Sequence, residues 1–135
     1  MAGTSLTLEV VTPERLVFRE EVEAIIVPAA EGYLGILPNH TPLITSLSVG
    51  VMRYRKNGEI KKVAVSGGFM EVAANRVTVL ADTAERAEDI DVERARRAKI
   101  RAETRLREKP PNLDYARAEM ALRRALTRLK AAGAE

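Results

Sequence analysis

Near residues 81–89 the chain changes from one set of folding rules to another. Up to residue 84 it carries seven of its eight glycines and β-type runs such as Ser5-Leu-Thr-Leu-Glu-Val-Val-Thr12. Residues 85–130 contain no glycine and are dense in Ala, Arg, Glu and Leu. A sheet-forming half followed by a helical half implies two bodies, one a scaffold and the other a mobile or binding element. At 135 residues the chain is small, and about 84 of them remain for a modest sheet core.

Within the first half, Leu6, Leu8 and Val10 alternate with Thr7, Glu9 and Val11, the period-2 mark of a half-buried strand. Further strands are expected over residues 22–27, ending at Pro28, and over 48–55, 60–65 and 77–80. Asn57-Gly58 between two of these runs predicts a tight hairpin, because both central residues of a type I′ turn need positive φ. Gly67-Gly68 reads as a bulge or tight strand connection rather than a phosphate cradle. Short strands with frequent turns imply an antiparallel sandwich or barrel.

From Asp89 the period becomes helical. Val92, Ala95, Ala98, Ala102 and Leu106 form one apolar stripe, with Asp91 or Asp89 able to cap its start. Pro110-Pro111 must end this helix, since proline lacks an amide donor and restricts the residue before it. Asn112 can then cap a second helix with Ala118, Leu122, Ala125 or Leu126, and Leu129 on one face. An antiparallel hairpin with an alanine-rich seam follows. Such a seam buries little area at ~25 cal/mol per Å², so the hairpin needs docking elsewhere or is able to open.

Charge separates along the same divide. Residues 1–84 hold eight Lys/Arg against nine Asp/Glu, whereas residues 85–130 hold fourteen against nine. The basic half invites anionic partners: nucleotide phosphates, nucleic acid, an acidic protein surface or lipid headgroups. Arg124 and Arg128 project from one side of the second helix and Arg94 and Arg101 lie two turns apart on the first, so hairpin closure could bring them to one anion. The competing reading is an ordinary solvated Arg/Glu-rich surface. A nucleic-acid module is the alternative from another class, weakened by 4% aromatic content and by the interleaved acids.

Other chemistry is sparse. One histidine, His40, and no cysteine argue against disulfides, thiolate nucleophiles, a metal cluster or a catalytic triad. The phosphate-loop and dinucleotide glycine motifs do not occur. No basic segment leads into an apolar run at the amino terminus, and no stretch approaches membrane-spanning length, so a soluble cytoplasmic chain is expected.

Three segments together carry a resemblance. Glu31-Gly-Tyr-Leu-Gly-Ile-Leu-Pro-Asn-His40-Thr-Pro-Leu43, Val65-Ser-Gly-Gly-Phe-Met-Glu-Val72 and Val77-Thr-Val-Leu-Ala-Asp82 resemble, in order and spacing, the epsilon subunit of bacterial F-type ATP synthase. The match extends over essentially the whole chain. It implies an N-terminal antiparallel β-sandwich over residues 1–86 and a C-terminal antiparallel two-helix hairpin over residues 87–135. It further implies a non-catalytic rotor role, with gamma and the c-subunit ring as partners of the sandwich, and a helical domain that switches between a retracted hairpin and an extended form, which reaches the alpha and beta subunits and blocks ATP hydrolysis. Nucleic acid would not be a partner, and the isolated chain would be a monomer. The complex would place the chain peripherally at the cytoplasmic face of the cell membrane.

Ile90-Asp91-Val92-Glu93-Arg94-Ala95 is similar to the Ile/Leu-Asp-x-x-Arg-Ala motif of family members that bind ATP, without a magnesium requirement, in the retracted state. By that resemblance Glu85, Ile90, Asp91 and Ala95 would surround adenine, while Arg94, Arg101, Arg124 and Arg128 would hold phosphates. Glu31, Tyr33 and His40 would face the c ring. Asn39 and Tyr33 depart from the family's pattern, which has glycine in many members at the first position and an acid in some at the second.

Overall fold

The structure, a computed structural model, describes residues 5–135. The first four residues of the amino terminus read above lie outside it. Eight strands come first: β1 Leu6–Val11, β2 Leu16–Val22, β3 Ala24–Ala29, β4 Gly32–Ile36, β5 Leu43–Lys56, β6 Glu59–Ala73, β7 Arg76–Ala81 and β8 Ala84–Arg86. A single 3₁₀ turn, Ala87–Asp89, leads to helices α1 Val92–Glu108 and α2 Tyr115–Ala131. Strands pair in the order β2-β1-β7-β6-β5-β3-β4, with β8 alongside β6. All neighbours are antiparallel except β1 and β7.

This one sheet folds over on itself to make the sandwich. Phe18 of β2 and Tyr54 of β5 stand with ring centres 5.5 Å apart, although β1, β7 and β6 intervene in the strand order. The long hairpin β5–β6 makes the fold possible. Its two-residue loop is the expected Asn57-Gly58, at φ 52° and 78°, and its register is constant from Lys56↔Glu59 to Leu43↔Val72, with Ser48 and Gly67 alone not paired. Along β6 the core-facing residues are Val63 and Val65 before the paired glycines but Met70 and Val72 after them. Inward positions thus change from odd to even across Gly67-Gly68, and β5 changes in step between Leu47 and Met52. The expected bulge is therefore corrected to a corner within a continuous strand. Gly68 sits at φ 116°, and a Cβ there would lie 2.0 Å from the Leu80 carbonyl oxygen, so only glycine allows the backbones to approach.

One other strand expectation changes, and three strands, β2, β4 and β8, were not expected. Pro28 lies inside β3 opposite Tyr33, at the point where pairing with β5 is irregular between Ile26 and Ala29. A missing amide donor is tolerated there. Strands β2 and β4 escape the alternation rule because β2 carries the charged run Arg19-Glu20-Glu21 and β4 contains two glycines. Strand β8 is only three residues long.

The parity change also creates the docking face for the hairpin. On the far side of the corner Val51 and Ala64, paired across β5 and β6, point outward and form a small buried cluster with Ile90 and Ala131. Helix α2 therefore lies on the sheet, and α1 packs along α2 through buried Ala95, Ala102, Ala118 and Ala125. Asp91 caps α1, accepting the Arg94 amide at 3.0 Å. Asp114, not Asn112, caps α2, accepting the Arg117 amide at 3.0 Å. Asn112 instead occupies the left-handed region at φ 64°, which the turn after Pro110-Pro111 requires. Asp114→Ala is expected to cost about 1 kcal/mol, read as faster amide exchange in the first turns of α2.

Candidate functional site

At the base of the hairpin, β8 presents Glu85 to α2, where Arg128 Nε donates a short hydrogen bond to the Glu85 carboxylate. Arg124, one turn earlier on α2, lines the same hollow together with the paired hydroxyls of Ser66 and Thr83. It is half-buried, and among the described residues no acid lies within ion-pair distance of it. The hollow continues into a cleft of about 400 Å³ between α2 and the sheet corner, with Leu47, Val49 and Met120 as apolar lining and Asp82, Arg123 and Arg124 as charged lining. Guanidinium forks beside hydroxyls suit a phosphate or another multivalent anion.

The remaining expected nucleotide residues divide into two groups. Ile90 is buried against Val51, Ala64 and Ala131, Asp91 is the exposed α1 cap, and Ala95 is buried in the helix seam. Arg94 and Arg101 are exposed on α1 and line neither the hollow nor the cleft. The structure thus brings Glu85, Arg124 and Arg128 together and leaves the two α1 arginines outside. Among the described residues no group of three or more His, Asp or Glu could hold a metal ion.

Glu31, Tyr33 and His40 occupy a different region. Glu31 is exposed in the β3–β4 turn, and Tyr33 is 60% exposed on β4 with its hydroxyl lying over Gly50. His40 follows β4, its Nδ1 donating to the Thr41 carbonyl at 2.6 Å. The loop holding it is clasped to the β6–β7 turn, since the Asn39 amide donates to Asn75 Oδ1 at 2.6 Å. Leu37 beside this loop and Ile44 at the start of β5 are strongly exposed.

Sequence reasoning missed one surface. Cross-strand register places Phe69 of β6 beside Leu80 of β7, Leu80 beside Val11 of β1 and Val11 beside Leu16 of β2. Phe69 is 60% exposed, and Leu80 and Leu16 are each 52% exposed, so an apolar row crosses the outer face of the sheet half that α2 does not cover. Apolar residues in such a row mark an interaction surface. No local signal distinguishes them from core residues, because both kinds alternate with polar neighbours.

Comparison with known proteins follows the same two-part division of elements. Residues 5–87 match the β-sandwich domain of the ATP synthase delta/epsilon chain, and residues 88–133 match the long α-helix domain of that chain. The ATP synthase epsilon chain of Moorella thermoacetica is 60% identical over 131 residues, covering 96% of this chain and 98% of the relative. That of Symbiobacterium thermophilum is 56% identical over 135 residues, with 99% and 96% covered. Among solved structures, a chain of the Euglena gracilis mitochondrial ATP synthase superposes with a TM-score of 0.81 at 24% identity, covering 98% of this chain and 83% of that one, a likeness of fold. With both parts of the chain matched in order and the epsilon relatives aligned nearly end to end, this protein belongs to the epsilon branch of the ATP synthase delta/epsilon chain family.

Proposed function

We propose that this chain is a non-catalytic rotor subunit of a proton-translocating F-type ATP synthase whose helical tail inhibits ATP hydrolysis. Residues 1–86 form the domain that joins gamma to the c-subunit ring, and residues 87–135 form the regulatory domain. In the retracted state the tail binds ATP, without a need for magnesium, and when extended it reaches the alpha and beta subunits. One observation carries the reading: the buried apolar cluster between hairpin and sheet is small, Val51, Ala64, Ile90 and Ala131, and among the described residues one ion pair, Glu85–Arg128, joins the helices to the strands. Small apolar contacts and a single part-exposed ion pair are cheap to release.

Three features support the assignments of partners. The bare apolar row through Phe69, Leu80 and Leu16 suits burial against a rigid protein such as gamma. The clasped loop with His40, together with Glu31 and Tyr33, suits the c ring. The described helices are none of them long and apolar enough to cross a membrane, so the reading has the chain reach the cytoplasmic membrane face through that ring.

Reconstitution of the parent complex with the full chain and with one lacking residues 88–135 tests this. Removing the tail is expected to raise hydrolysis at low ATP about fivefold or more, the scale of ordinary coupling between sites, while proton-coupled synthesis persists. Equal hydrolysis rates would remove the inhibitory role.

A further inference from the structure

The segment that passes the chain from sheet to hairpin is held by its pairing with β6, by Ala84 in the core and, at its far end, by the side chain of Arg86. Strand β8 pairs with β6 over three positions, Val63↔Arg86 to Val65↔Ala84, and the Ser66 amide donates to the Thr83 carbonyl at 3.1 Å just before them. Arg86 adds to this. Its Nη2 donates to Glu20 of β2 at 3.0 Å, and its guanidinium stacks 4.3 Å from the centre of the Phe18 ring. Glu20 also accepts the Tyr54 hydroxyl and lies 3.8 Å from Lys56 Nζ. Burial, with the Glu20 carboxylate beside it, pushes the Tyr54 hydroxyl well above the usual phenol range, so it stays a protonated donor. The arginine is thus tied to β2 and, through Glu20, to β5.

Beyond Arg86 the attachment stops. The 3₁₀ turn Ala87–Asp89 buries no residue, and Glu88 meets Arg86 at only 3.8 Å. The next inward contact is Ile90, in the small cluster under α2. Peeling β8 away would leave Glu20 without its closest cation and Arg86 without its aromatic face, a part-buried charge separation that is costly. Lifting Ile90 and Ala131 exposes only modest apolar area.

We propose that Arg86 is the positioning residue of the tail, the fixed end of a hinge formed by residues 87–91. When the hairpin leaves the sheet, β8 remains in place and the chain pivots after Arg86, so the tail departs from one defined point and direction. The proposal rests on the reading that the hairpin detaches.

Residue-resolved amide exchange on the full chain tests it. Ala131→Asp puts a carboxylate among Val51, Ala64 and Ile90 and lifts the hairpin without touching Arg86. Protection in residues 92–131 is expected to fall at least tenfold while residues 84–86 keep theirs to within about threefold, with β1 and β7 as the measure of an intact sheet. Adding Arg86→Met keeps an apolar stem over Phe18 but removes the charge, and residues 84–86 should then exchange as fast as the tail. Glu20→Gln should act alike, with the double change no worse than either alone, as expected of one shared contact. Residues 84–86 opening together with the tail in Ala131→Asp, or keeping their protection after Arg86→Met, would overturn the hinge. Neither arm uses nucleotide or another subunit, so its result is separate from the hydrolysis test of the inhibitory reading.

Discussion

Gly68→Ala is expected to lower the unfolding free energy by about 3 kcal/mol or more, because overpacking and left-handed strain act at one position. The new methyl would meet the Leu80 carbonyl oxygen at 2.0 Å and the Ala81 Cα at 2.8 Å, both backbone atoms of the paired strand that cannot rotate away. Relief requires β6 and β7 to separate at the corner, where β5, β6 and the β7–β8 segment all exchange their inward faces. Gly35→Ala is the control. It lies in β4 with nothing within 4 Å of an added Cβ, and its change should stay within about 0.5 kcal/mol. Urea unfolding of the two variants decides the matter: equal midpoints would mean that the corner does not depend on glycine.

Arg124→Ala and Arg128→Ala are each expected to weaken ATP binding about tenfold or more, since a hydrogen bond to a charged group contributes roughly 1.5–3 kcal/mol. The two variants should differ in the absence of nucleotide. Arg128 already holds Glu85, so its removal leaves that carboxylate without its cation and loosens the retracted hairpin. Arg124 lines the hollow and, among the described residues, forms no ion pair, so its loss should spare the nucleotide-free tail. Calorimetric titration with ATP, with and without magnesium, measures the first effect, and thermal melting of the free chain measures the second. Arg107, exposed near the end of α1, is the reference site. If Arg107→Ala loses as much affinity as Arg124→Ala, attraction by the basic helices is diffuse and no defined site exists.

Much of the fold was legible from short stretches because a few residues constrain their own backbone. Asn57-Gly58 admits the tight turn, Pro110-Pro111 ends α1, and Asp91 offers itself as the cap of α1. For α2, tertiary geometry selected Asp114 over Asn112 by setting the length of the turn between the helices. The ion pair of Glu85 with Arg128 joins residues that no local pattern relates, and Arg94 and Arg101, equivalent to Arg124 on a helical wheel, remain outside the hollow.

Local patterning in the sequence determined strands near residues 5–12, 22–27, 48–55, 60–65 and 77–80, and the two apolar stripes determined a pair of helices on either side of Pro110-Pro111. Only the tertiary structure decided which side of each strand is inside. Period 2 records that two faces differ, but the corner at Gly67-Gly68 exchanges those faces partway along β6, so Val65 and Met70 both point inward while Phe69 does not. The same exchange turns Val51 and Ala64 outward to receive α2, and lets Arg86 meet Glu20 across strands that are far apart in the sheet order. Contacts of this kind depend on where the whole sheet bends, a property of many residues pairing at once, and no window of neighbouring residues contains it.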